Sequence, residues 1–254
     1  MENKKQTGDL RQSHYTMRKV IGIMGLSLPF IILPFHEDHL TSISHYYYTK
    51  SAVFFLVIMA ALGLFLMTYK GYESRPEDQD WLTDNMITNI AGAAALMVVL
   101  IPTNAGHHRE DLGRFFKRIG EDEILWPLFG HNEALWGTVH LSFAAVFLFG
   151  MGWMAFFRFT RSDSKKIEGI KRWENFFYRF TGILIWASII FLGLQSLLLL
   201  FDINFRITKA HDVYWLETIS VLAFGTAWLI KGRAIRELIE LKQMILSKSK
   251  ISTY

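Results

Sequence analysis

Apolar residues run in six long stretches along this chain, at 20–35, 52–69, 86–102, 134–159, 177–201 and 213–230, with polar or charged segments between them. A helix that crosses the hydrocarbon core of a bilayer needs about 20 mostly apolar residues, and about 17 suffice. The stretches therefore predict an all-α, polytopic integral membrane protein built as a bundle of six transmembrane helices. The first stretch contains Pro29 and Pro34, which lipid-embedded helices accommodate when neighbours satisfy the freed carbonyls. Pro34-Phe35-His36-Glu37-Asp38 follows it, and no small-residue cleavage site is present, so this stretch reads as an uncleaved first span rather than a signal peptide. Residues 1–19 form the N-terminal segment, 20–231 the transmembrane domain and 232–254 a tail.

Two of the polar segments carry a helical rhythm of their own. In the loop 104–133, Leu112, Phe115, Phe116 and Ile119 recur at i, i+3, i+4 and i+7 around Arg114, Lys117 and Arg118, the pattern of a short helix lying in the interface. In the tail, Ala234, Leu238, Leu241 and Ile245 form a stripe beside Arg236, Glu237, Glu240 and Lys242. Continuation of the last span, a surface-lying helix, or self-association into a homo-oligomer through the C-terminal helix would each account for that stripe.

Composition agrees with the bilayer as solvent: 51% of residues are hydrophobic, 15% aromatic and 20% charged. The net charge of +4 does not point to nucleic acid, because Lys and Arg lie between apolar runs. Five of the 27 precede the first span, two follow the second, seven lie in 158–179 and six from Lys231 onward, leaving seven on the other side. Short positively charged loops stay in the cytoplasm, so both termini are expected there, in the inner (plasma) membrane of the cell. The basic loop 158–179 would also contact anionic headgroups, making membrane lipids the expected partners. The absence of cysteine excludes disulfides, thiolate metal sites and Cys nucleophiles.

Small residues account for helix packing before any chemistry: Gly22 and Gly25, Ala60, Ala61 and Gly63, Ala91-Gly92-Ala93-Ala94-Ala95, and Gly150 and Gly152 let backbones approach. The third span, the richest in them, is expected at the centre of the bundle.

Eight of the nine histidines, His36, His39, His45, His107, His108, His131, His140 and His211, fall on the outer side of this topology; only His14 is inside. Solvated loop histidines, a zinc-type site and a pH sensor all fit that placement. His140 and Glu217 lie inside spans at similar depth, and an intramembrane carboxylate costs a few kcal/mol unless it has a partner, so the two are expected to contact each other. Tyr46, Tyr47 and Tyr48 precede the second span as an aromatic belt or as the rim of a cavity, together with Ser42, Ser44 and His45. Glu217, His140, Tyr46, Tyr47 and Ser44 are thus the candidate ligand-binding residues. No phosphate-binding Gly loop, G-x-S-x-G or H-E-x-x-H motif is present.

Ser42-Ile43-Ser44 before the second span, Tyr69-Lys70-Gly71-Tyr72 after it, Ala91-Gly92, Ile101-Pro102-Thr103 and Tyr214-Trp215-Leu216-Glu217 resemble motifs of a group of uncharacterised bacterial six-span proteins, distantly similar to DRAM/Sfk-type membrane proteins. That resemblance implies a role in membrane lipid organisation without established catalysis. The leading expectation is a non-catalytic protein that binds a lipid or amphiphile in an outward-facing polar cavity, without a cofactor. One alternative is a zinc-dependent intramembrane hydrolase of a lipid ester or amide, with His140, Glu217 and His45 or His211 as ligands. Another is a proton-coupled transporter using His140 and Glu217 as its relay.

Overall fold

The computed structural model describes residues 2–35, 39–71, 82–104, 134–161, 169–199, 201–203, 205 and 211–251, and no strand occurs among them. Among the described residues seven α-helices follow one another: α1 (Glu2–Ile31), α2 (Ala52–Thr68), α3 (Asp84–Leu100), α4 (Ala134–Trp153), α5 (Gly169–Leu199), α6 (Asp212–Lys231) and α7 (Ala234–Ile251). Two short 3₁₀ helices, Leu33–Phe35 and Ile43–Tyr48, join α1 to α2, and α4 runs on into a π-helical turn, Met154–Arg158.

Among the described residues four segments are long and apolar enough to cross a membrane: Gln12–Phe35, Leu135–Arg158, Gly169–Leu198 and Asp212–Lys231. Helices α2 and α3 are apolar but have 17 residues each, about 26 Å at 1.5 Å per residue against a hydrocarbon core of about 30 Å. Large apolar side chains such as Val57, Leu64, Ile90, Phe149, Ile183 and Ile190 point outward, as they do when the surroundings are lipid.

The first six helices form a ring in which each packs on its neighbours in sequence and α6 closes back onto α1. Helix α3 therefore sits between α2 and α4 rather than at the centre. Its small residues serve a pairwise contact: a Cβ on Gly92 would lie 2.6 Å from the Gly63 carbonyl oxygen of α2. Across the ring closure, a Cβ on Gly225 would lie 2.8 Å from the Gly22 oxygen of α1. Of the four long segments the last is the most enclosed, 56% buried.

Capping and breaking residues set the boundaries. The Thr83 hydroxyl accepts the Met86 N–H at 3.2 Å and starts α3. Pro29 inside α1 frees a carbonyl in the preceding turn, and its own carbonyl accepts the Tyr214 hydroxyl of α6 at 3.3 Å. The tail is not a straight continuation of α6, because Gly232 ends that helix and Arg233 adopts φ 63°, in the left-handed region. After this turn Arg236 clamps Glu174 of α5 through two hydrogen bonds of 2.6 and 2.7 Å, and Glu237 accepts from Lys19 of α1 at 2.7 Å. Beyond that, Leu238, Leu241 and Ile245 are exposed.

Candidate functional site

The segment 41–51, between α1 and α2, folds into one end of the ring and supplies Ser42, Ile43 and Ser44 to the site. Ser42 caps the 3₁₀ helix, its hydroxyl accepting the Ser44 N–H at 3.1 Å. The same hydroxyl donates to the Glu217 carboxylate, 3.0 and 2.9 Å from its two oxygens, and the Ile43 N–H donates to Oε2 at 2.6 Å. Ser44 then turns its hydroxyl to His140, which is wholly buried, at 3.0 Å from Nε2. The other ring nitrogen, Nδ1, lies 2.6 Å from the Ile101 carbonyl oxygen. A carbonyl only accepts, so Nδ1 carries the proton and, in the neutral ring, Nε2 accepts from Ser44.

Glu217 and His140 are thus joined, but through Ser42 and Ser44 rather than by direct contact. The physical reason is that α4 and α6 are not neighbours in the ring, and the polar segment bridges them at this end through its bonds to Glu217 and His140. Further bonds stitch that segment to the remaining helices. Thr41 accepts the Tyr214 N–H at 2.9 Å, the Ser51 hydroxyl donates to Ile32 at 2.5 Å, and the Tyr48 hydroxyl donates to the Thr103 carbonyl.

Tyr46 and Tyr48 are almost fully buried, 0% and 1% exposed, so they do not form a lipid-facing belt. Tyr46 packs against Tyr214 at 6.4 Å between ring centroids, while Tyr47 is half-buried against Tyr48. Burial raises the hydroxyl pKa of all three above the ordinary value of 10.0, so they remain neutral donors at physiological pH.

Beneath the segment lies a cavity of about 40 Å³. A water molecule needs roughly 10–15 Å³ by such a measure, so the space holds a few waters or a small group. Glu217 and Ser44 are its polar lining, and the rest comes from apolar residues including Leu28, Phe55, Met59, Val98 and Phe147. His140, Tyr46 and Tyr47 stand outside the lining.

His45 bonds Thr41 Oγ1 through Nδ1 at 3.0 Å, and His211 precedes the first turn of α6. Among the described residues, no three His, Asp or Glu side chains come together as a metal site. His36, His107, His108, His131, Glu133 and the amphipathic stretch 112–119 lie outside the described residues. No family model matches this chain, and no curated protein or solved structure is similar to it.

The sequence reading singled out Glu217, His140 and Ser44 but did not assign Ser42 the pairing with Glu217, nor Ile101 the pairing with His140. A signal for the second existed: α3 ends just before Pro102, and a helix end leaves carbonyls without partners. The five helices that converge on the cavity had none.

Proposed function

We propose that this chain is a six-span, non-catalytic membrane protein that binds or organises a lipid or other amphiphile at the outer end of its bundle, with both termini in the cytoplasm. The observation that carries this reading is the cavity in which one carboxylate, Glu217, and one hydroxyl, Ser44, meet an otherwise apolar lining. That combination suits a small hydrogen-bond-donating or cationic head group, with the hydrocarbon body of the molecule left outside the cavity. The segment 41–48 covers the cavity, and Ser42 and Ile43, which donate to the carboxylate, are the groups with which a head group competes.

Six spans rather than four follow from treating α2 and α3 as crossings. At 17 residues each they lie at the short end of what a bilayer tolerates, and thinning or helix tilt elsewhere absorbs the mismatch. Their pairing through Gly63 and Gly92 is the close backbone approach that membrane helices use.

Lipid extraction from the detergent-purified protein tests the reading. The natural chain should retain an amphiphile in near-stoichiometric amount, and Glu217→Gln should lose most of it while remaining folded. Identical extracts from both proteins would overturn the proposal.

A further inference from the structure

Among the described residues at the opposite end of the ring, cations outnumber the carboxylates beside them. Lys171 near the start of α5 and Lys231 at the end of α6 meet at Phe159, just after the π-helical turn, and Arg18 of α1 stands over Tyr69, which Trp228 links to Phe159. Among the described residues two carboxylates stand at the same level, and both are engaged. Asp84 is paired with Arg158, the two side chains only 5% and 2% exposed, and Glu174 is held by Arg236.

Lys171 and Lys231 donate to a single acceptor, the Phe159 carbonyl oxygen, at 3.1 and 3.3 Å. Both ammonium groups also lie over the Tyr178 ring, 5.3 and 6.0 Å from its centroid. Arg18 stands over Tyr69 at 5.4 Å and over Tyr15 at 5.7 Å. Among the described residues, none of these three cations has a carboxylate within ion-pair distance. Ring faces and one neutral oxygen offset only part of the repulsion between neighbouring charges in a medium of low dielectric constant.

Unused donors mark the same place independently. The buried N–H groups of Arg18 Nε, Trp228 Nε1 and Arg233 Nε have no acceptor. The Trp228 ring packs on Tyr69 and Phe159, 4.9 and 5.1 Å between centroids, and Arg233 lies over Tyr15 at 5.4 Å. Buried donors are rarely left unpaired, and a site with surplus donors and spent acceptors is complementary to an oxyanion.

We propose that Arg18, Lys171 and Lys231 form a binding site for a phosphate-type oxyanion at the end of the bundle remote from Glu217. Arg18 and Lys171 are half-buried residues, which leaves an approach open, and the Lys231 ammonium group lies deeper behind them. Beside Lys171, Ile170 and Trp173 are 48% and 44% exposed, and both line an apolar cleft of about 270 Å³ between α5 and α7. An anion bearing an acyl chain would find its hydrocarbon surroundings there, whereas a free phosphate would use the cations alone. This inference does not rest on the outer site, and its failure would leave that reading untouched.

Thermal unfolding of the full chain in neutral detergent, followed by tryptophan fluorescence, tests it. Phosphatidylglycerol, phosphatidylcholine, sodium phosphate and sodium chloride of matched ionic strength are added in turn. Phosphatidylglycerol should raise the Tm by a few degrees and phosphatidylcholine and chloride should not. An equal rise with inorganic phosphate would identify a soluble oxyanion as the ligand; no rise with either phosphate source, or an equal rise with phosphatidylcholine, would overturn the proposal. In the double variant Lys171→Gln, Lys231→Met, the anion-free Tm should stay level or rise, because a repulsion is removed, while the response to the anion disappears. Should that variant not fold, Lys171→Gln alone should need about fivefold more anion for the same shift. A full response in whichever variant folds would overturn the assignment.

Discussion

Glu217 accepts hydrogen bonds from Ser42 and Ile43, and His140 uses both ring nitrogens, so the cost of altering either depends on what is left behind. Ser42→Ala removes a donor from a buried carboxylate and should lower stability by about 1–3 kcal/mol. Because Ser42 touches Glu217 while His140 does not, double-mutant cycles in detergent should separate the two pairs. Ser42→Ala with Glu217→Gln should show a coupling of about 1 kcal/mol or more, and His140→Ala with Glu217→Gln distinctly less. A larger coupling for the histidine pair would place His140 in direct contact with the carboxylate. At this scale Glu217 and His140 were legible in the sequence, since an ionisable group inside an apolar run is costly and needs a partner. The identity of the partner was not legible, because a serine in a connecting segment carries no such penalty and looks like any other loop residue.

The segment 41–51 shows how an element can differ from its apparent type. Three consecutive tyrosines suggest an interfacial belt, yet a 3₁₀ turn sends their side chains in three directions, and the first and third are buried while the middle one stays at the edge. The tail helix was visible as an amphipathic stripe, and the turn at Gly232–Arg233 that separates it from α6 comes from backbone conformation. Helix pairing is open to a sharper test. Gly225→Val would press a side chain against the Gly22 carbonyl and the Leu26 backbone and should cost about 1–3 kcal/mol or prevent folding. Gly193→Val, in a helix position with nothing within 4 Å, should leave the melting temperature nearly unchanged. Equal losses in the two variants would mean that α1 and α6 do not meet at these glycines.

For the molecule as a whole, reporter fusions after Lys165 and at the C-terminus should both report the cytoplasm, and a fusion near Gly120 should report the outside. An outside signal from the C-terminus would mean that α2 and α3 do not both cross, since four or six crossings return the chain to its starting side and five do not. The sequence by itself determined that the protein is helical, that several of its helices are long and apolar enough to span a bilayer, and which few ionisable residues lie among them. These follow from length, hydropathy and the cost of burying charge, which are local properties of the chain. Only the tertiary structure decided that the helices form a ring, that α6 closes onto α1, and that Ser42 and Ser44 stand between Glu217 and His140. It likewise brought Lys171 and Lys231 to one carbonyl from two separate helices, with Arg18 of a third over the nearby Tyr69 ring. Such contacts depend on which helix faces meet, and residues more than 150 positions apart meet through the packing of the whole bundle, which no local pattern encodes.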